Sequence, residues 1–239
     1  PFSSEIWRLS AKGLKLNHKT DRGSATHAVL RVKNLPLFYF PYLTFPITDE
    51  RKSGFLSPTI GNSSESGFDS RIPYYWNIAP NLDLTFAART LSKRGLMLDS
   101  EFRYLTESSQ GKAKIHYIAN DDLKNKENRS LVEFEHISWF RRQNAYIDID
   151  YTNVSDDQFF SDFGAGTSST SQRFLEQFIE AGYSTSSQYV YAYIRNYQSV
   201  DETLPPQFGP YKTLPQVFHG IAGPGYQLGR FGYSYIRSD

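Results

Sequence analysis

The sequence predicts an all-β protein with antiparallel strands of the barrel type, and three observations carry that prediction. Apolar and polar residues alternate along most of the 239 residues, and Phe, Trp and Tyr make up 16% of them, a composition suited to half-buried pleated surfaces. Many alternating segments are about twice the ~5–6 residues usual for globular strands. The turns between them, such as SKRG, TESSQG and FRRQN, are short, which favours an up-and-down barrel over a Greek-key sandwich.

Composition narrows the class further. The chain is long enough for one large or two small domains with a real core. A formal charge of +1 and a pI near 8.3 give no strong basic field, so nucleic acid is not an expected partner. No apolar run reaches the ~18 residues of a membrane helix, but a transmembrane strand needs only about 9–11 residues with alternate ones apolar. With no cysteine, no disulfide or thiolate chemistry is expected. The chain begins at Pro1 with neither initiator Met nor signal peptide, and is read as a processed product or an excised piece.

From Pro1 to Pro46 the text gives short strands, EIWRLSA, GLKLNHK, THAVLRVKN and PLFYFPYL, read as the end of a β-sheet domain. In the third, Ala28, Leu30 and Val32 share one face and Val29, Arg31 and Lys33 the other, the period of a half-buried strand. Beyond Pro46 about eleven longer strands are predicted, near 54–62, 67–79, 81–91, 95–107, 111–120, 130–141, 144–154, 172–185, 188–199, 213–222 and 226–237.

The first two of these, GFLSPTIGN and GFDSRIPYYWNIA, contain Pro58 and Pro73. Proline gives no N–H to a ladder, so prolines in adjacent strands mark a seam. Next, Leu82, Leu84, Phe86 and Ala88 oppose Asp83, Thr85 and Ala87, and Ala145, Ile147, Ile149 and Tyr151 oppose Tyr146, Asp148 and Asp150. Acids opposite an apolar face fit a wet lumen or a solvent-facing sheet equally well. Tyr189, Tyr191, Tyr193 and Tyr197 share a face and are expected to form an aromatic girdle at a membrane interface or a stacked sheet surface. Residues 155–171 and 201–215, rich in Ser, Gly, Pro and Asp, read as long loops, of the kind that lie outside a barrel or fold back over its mouth.

Catalytic and metal-site patterns are weak. The five histidines, His18, His27, His116, His136 and His219, show no ligand spacing, and His136 points away from Glu133 and Glu135. No GxSxG elbow occurs, and GIAGPG at 220–225 reads as a strand bend. Asp148 and Asp150 sit two apart on one strand face, a spacing that could serve glycoside hydrolysis, although solvated lumen carboxylates explain them more simply. Asp121 with Asp122 and Asp156 with Asp157 are turn acids able to hold divalent cations weakly.

Residues 35–105 closely resemble the LptD family, the lipopolysaccharide-assembly proteins of Gram-negative outer membranes. FPYLTFPI, RKSGFLSP, PYYWNIAPNLDLT, the KRG turn and EFRYL carry the resemblance. Upstream SAKGLKLN and GSATHAVLRVKNLPLFYFPY look like the last strands of that family's periplasmic jellyroll, and downstream YTNVSDDQFFSDFG and YKTLPQV look like barrel segments.

The resemblance implies jellyroll strands over 1–46, followed over 47–239 by the first part of an outer-membrane barrel. It implies a non-enzymatic role without a cofactor: lipopolysaccharide passes from the jellyroll to the outer leaflet through a lateral gate. The implied gate residues are Pro58, Thr59, Ile60 and Pro73, and the implied lipid path at the junction is Leu30, Val32, Phe38, Phe40 and Phe45. Implied partners are lipopolysaccharide, the plug lipoprotein LptE, outer-membrane lipids, and the bridge protein LptA through an N-terminal region absent here. The chain departs from the pattern in offering about eleven strands against about 26, in lacking the family's disulfide cysteines, and in ending IRSD, so the barrel is expected to be incomplete. A porin-like barrel and a soluble carbohydrate-binding β-protein are the alternatives.

Overall fold

The computed structural model describes residues 7–19, 21–32, 35–48, 51–163, 173–201, 210 and 213–221, and these form two antiparallel sheets. The first has four strands: β1 (Trp7–Ser10), β2 (Gly13–Asn17), β3 (Arg22–Val32) and β4 (Leu35–Pro46). β1 and β2 follow one another along one edge of β3, pairing with Val29–Val32 and Arg22–Thr26, while β4 covers the other edge. The buried positions of β3 move from Gly23 and Ala25 to Ala28 and Leu30, a change of parity across His27. That residue has φ 50 and falls opposite Pro41, between the Thr26–Tyr42 and Ala28–Phe40 pairs. An irregular residue thus faces a proline inside β4, which has no N–H to offer.

The second sheet has eleven strands: β5 (Gly54–Phe55), β6 (Thr59–Ser63), β7 (Gly67–Ala79), β8 (Leu82–Leu91), β9 (Gly95–Leu105), β10 (Ser109–Asp121), β11 (Glu127–Phe140), β12 (Ala145–Val154), β13 (Phe174–Ser184), β14 (Gln188–Ser199) and β15 (Thr213–Ile221). From β7 to β15 each strand pairs with the next, and β5 and β6 lie end to end along the first edge of β7. Among the described residues β15 does not pair with β5 or β6, so the sheet is not closed. The predicted 54–62 strand is two strands, because Pro58 interrupts it. The predicted 226–237 strand, and residues 222–225 of the predicted bend, lie outside the described residues.

Cross-strand register sorts the side chains into two faces. One carries Tyr74, Trp76, Phe86, Leu96, Leu98, Ile115, Tyr117, Ile179, Ile194 and Val217, exposed or half-buried apolar groups. The other carries Arg71, Asp83, Asp99, His116, Lys114, Glu133, Glu135, Asp148, Asp150 and Glu180. A strand set with one water-compatible and one lipid-compatible face alternates in this way. No described helix is long and apolar enough to cross a membrane.

The tyrosines of β14 correct an expectation. Tyr191 pairs with Gly182 and Phe218, and Tyr193 with Glu180 and Gln216, which puts the row on the face of the acids rather than on the apolar face. Tyr191 and Phe218 stack with centroids 4.8 Å apart. Rings on that face cannot belt the apolar surface; the stacked-sheet reading holds.

The four-stranded sheet joins at the end where the turns are short, 80–81, 106–108, 141–144 and 185–187. The connections after β12 and β14 lie at the other, far end. The first corrects its reading as pure loop, since it holds α1 (Phe159–Phe163). Phe159, Phe160 and Phe163 pack on Leu91, Met97, Ile118, Leu131 and Val154, the far-end residues of the polar face. This small apolar core is closed by Arg129, 2% exposed, which meets Asp121 at 2.9 Å, Asp156 at 2.6 Å and Asp162 at 2.7 Å. Asp121 and Asp156 are therefore occupied by arginine, not arranged for a divalent cation.

Candidate functional site at the first-strand break

β5 pairs Gly54 with Tyr75 and Phe55 with Tyr74, whereas β6 pairs Thr59 with Arg71 through to Ser63 with Gly67. The two registers differ by one residue, and Leu56–Pro58 fall in the break. One bond crosses it: the Leu56 amide donates to the Pro73 carbonyl at 2.9 Å. In an extended strand a residue's N–H and C=O face the same neighbour. The N–H that Pro73 lacks would therefore also have faced the first strand, and Pro58 has none to return.

On its other side β7 is unaffected. Its register with β8 runs unbroken from Asp69–Leu91 through Pro73–Ala87 to Asn77–Asp83. Pro73 is buried, Pro58 and Ile60 are half-buried, and Thr59 is exposed. The sequence correctly placed Pro73 in a strand; Pro58 lies beside one, because its ring removes the donor that would continue the ladder.

A row of aromatic rings passes this break. Phe38 and Phe40 of β4 lie 6.4 Å apart, Phe40 and Phe55 5.8 Å, Phe55 and Tyr74 5.1 Å, and Tyr74 and Phe86 5.3 Å. The row starts in the four-stranded sheet and ends on the apolar face of the eleven-stranded one. Of the predicted path residues, Leu30 pairs with Phe38 and Ala28 with Phe40, so Leu30, Phe38 and Phe40 come together. Phe45 lies further along β4, over Gly23, where an added Cβ would overlap the ring. Val32 pairs with Leu35 and Trp7 at the strand end. Phe55, Tyr74 and Phe86, which complete the row, were not singled out, although alternation had put Phe86 on the apolar face.

The RKSG segment ties the linker to the near end of β7 and β8. Arg51 pairs with the buried Asp83, donates to Tyr75 Oη at 2.9 Å and to the Pro80 carbonyl at 3.3 Å. Asn77 donates its side-chain amide to the Arg51 carbonyl at 2.7 Å and its backbone N–H to Ser53 Oγ at 2.9 Å. Lys52 meets Asp21, in the turn before β3, at 3.5 Å.

On the polar face a cleft of about 1050 Å³ is lined by Lys112, Glu135, Asp148, Asp150, Glu180 and Arg195, among others. Lys112 pairs with Glu135 at 3.0 Å and Lys114 with Glu133 at 3.0 Å. His136 is on the opposite face, as expected, hydrogen-bonded to Tyr104. Among the described residues no three His, Asp or Glu side chains are grouped to hold a metal ion.

Comparison with known proteins bears on this geometry. Residues 127–234 match the family LptD, described as LPS transport system D. Over 215 residues, 90% of this chain, the sequence is 39% identical to the LPS-assembly protein LptD of Nitrosococcus oceani. The chain belongs to the LptD family. Its sequence is also 38% identical to LptD of Pseudomonas putida over 97% of the chain, and 36% identical to LptD of Pseudomonas aeruginosa over 99%. The aligned part is 29%, 25% and 26% of those three proteins, so the chain spans between a quarter and a third of the LptD relatives it matches.

Proposed function

We propose that this chain is the segment of an outer-membrane LPS-assembly protein where a periplasmic jellyroll, 1–46, hands lipopolysaccharide to the first part of a β-barrel, 47–239. The observation that carries the reading is the aromatic row from Phe38 to Phe86, running past a first strand that two prolines have interrupted. Acyl chains moving along these rings stay against apolar surface, which spares the cost of about 25 cal/mol for each Å² exposed to water. Opening at Leu56–Pro58 forfeits little, because the ladder donors there are already missing and each bond contributes about 1 kcal/mol.

The near end, with its short turns, then faces the periplasm and the far end the cell exterior. The apolar face meets lipid, and the polar face with its 1050 Å³ cleft lines the lumen in which the plug lipoprotein LptE sits. The bridge protein LptA supplies substrate through a part of the longer family members upstream of this segment. Pro58, Thr59, Ile60 and Pro73 form the gate. Leu30, Val32, Phe38, Phe40 and Phe45 form the approach to it. Transport of this kind needs no covalent chemistry from Asp148 or Asp150.

The test is photocrosslinking from Ile60 in the whole protein, assembled in its native membrane. A lipopolysaccharide adduct that depends on continuing transport is the expected result. A folded, membrane-inserted protein that gives no adduct at Ile60 would remove the substrate from this seam.

A further inference from the structure

Helix α1 makes contacts well beyond the strands it connects. The hydroxyl of Ser66, in the turn between β6 and β7, donates to the carbonyl of Asp162 at 3.2 Å. Ser66 is 3% exposed, so that hydroxyl needs a protein partner. Arg94, equally buried, reaches Asp162 at 2.7 Å with one nitrogen, Asp121 at 2.8 Å with another, and the carbonyl of Glu65 at 3.1 Å with its Nε. Arg89 holds Asp69 of β7 at 2.6 Å and donates to the Phe163 carbonyl at 3.2 Å. Lys93 donates to the Ser64 carbonyl at 2.9 Å. Three consecutive residues at the tip of the first hairpin, Ser64, Glu65 and Ser66, are thus bound by groups from the β8–β9 turn and α1.

We propose that α1 is a latch on the tip of the first hairpin. Through Asp162 and Arg94 it fixes that tip to the body of the sheet. Arg51, Ser53 and Asn77 fix the other end of the first strand, so movement of the strand is confined to Leu56–Pro58 between the two anchors. The physical contrast is large. Separating the tip would leave the buried Ser66 hydroxyl and the Nε of the buried Arg94 without partners, whereas the middle stretch has few ladder bonds to lose. This inference rests on reading the break as the seam through which lipid passes. It adds that the strand bows at its centre and does not peel from its far end.

The test is amide hydrogen exchange of the whole protein in its membrane, compared with Asp162→Asn and the milder Ser66→Ala. In the unmodified protein, Ser57–Ile60 should exchange faster than Asn62–Ser70. Asp162→Asn takes a carboxylate from Arg94, which holds the Glu65 carbonyl, and should speed exchange in Asn62–Ser70 by about tenfold; Ser66→Ala, which loses only its bond to the Asp162 carbonyl, should do so less. Exchange in Met97–Tyr104 should not change. Unchanged exchange at the tip in both variants would overturn the latch, and so would an acceleration spread evenly through β9–β11. The seam reading fails separately, if restoring donors at positions 58 and 73 leaves lipid export as it was.

Discussion

The amide of Leu56 donates to the carbonyl of Pro73 at 2.9 Å, and Pro73 has no amide to return the bond. In a regular antiparallel pair both residues would donate. Here the exchange is one-sided, at the place where the first strand divides into β5 and β6. β7 keeps an unbroken register with β8 behind it from Asp69 to Asn77, so the weakness is directed toward the free edge of the sheet and away from its body.

Replacing Pro58 with Thr and Pro73 with Val should therefore restore donors on the seam side alone. We expect the pair of changes to stabilise pairing between the first strand and β7 by about 1–2 kcal/mol and to slow lipopolysaccharide delivery. Exchange of the Leu56–Ile60 amides reads the first effect, and surface labelling of newly delivered lipopolysaccharide reads the second. Delivery at an unchanged rate, with the amides shown to be protected, would separate the prolines from transport.

The aromatic row makes a second prediction. Phe55 is the ring that joins the two sheets, touching Phe40 at 5.8 Å and Tyr74 at 5.1 Å in an edge-on arrangement. Phe55→Ala should leave the eleven-stranded sheet folded but interrupt the row, lowering the yield of lipid crosslinks from Phe86 more than from Phe38. A double-mutant cycle on Phe55 and Tyr74 should give a coupling of about 0.5–1.5 kcal/mol. Equal loss of crosslinks at both ends would mean that the row is packing and not a path.

Much of this architecture was legible in the sequence, because strand alternation has a period of two and needs no tertiary information. The faces of Leu82–Ala88 and Ala145–Tyr151, and the position of Pro73, follow from it directly. What alternation cannot supply is which face is wet when both carry rings. Alternation leaves Tyr189, Tyr191, Tyr193 and Tyr197 open to a girdle or a stacked sheet surface, and only their register against Glu176, Glu180 and Phe218 puts them with the acids. The same holds for Phe38, Phe40, Phe55, Tyr74 and Phe86, which form a row only once four strands are aligned. Helix α1 was hidden because five residues are too few for a helical period to register. Its Phe–Phe–Phe face is satisfied by residues from six separate strands, Leu175 of β13 among them.

Arg129 is the most consequential charge at the far end. It is 2% exposed, and three carboxylates, Asp121, Asp156 and Asp162, surround it. Its ring contacts with Phe159 and Phe163, at 5.7 and 4.8 Å, hold the guanidinium against α1. Arg129→Met should cost about 3–5 kcal/mol, because it leaves buried carboxylates short of a partner. Arg129→Lys should fall in between, keeping the charge and losing the planar fork. Denaturant midpoints of the whole protein in micelles would measure this. A methionine variant as stable as the parent would show that the carboxylates relax to water without cost.

Acid should loosen the cover that α1 forms. Burial alone would raise the pKa of the Asp156 carboxyl, but its bonds from Arg129 and from Ser155, with the positive charge of Arg129, outweigh that and hold it below the usual range. A carboxyl depressed in the folded state binds its proton more readily when unfolded. Its contribution is thus complete above the ordinary Asp value of about 3.9 and is lost as the pH falls from there through the folded value. Asp121 and Asp162 face the same guanidinium, with Lys124 and Arg94 nearby, so Asp156 is one of three acids that hold Arg129 in place. Pepsin cleavage between β12 and β13 in the membrane-inserted protein should stay slow at about pH 5 and rise below about pH 4. Asp156→Asn should raise cleavage at pH 5 and flatten the rise. An identical pH profile for the variant and the parent would show that Asp156 takes no part in holding the cover.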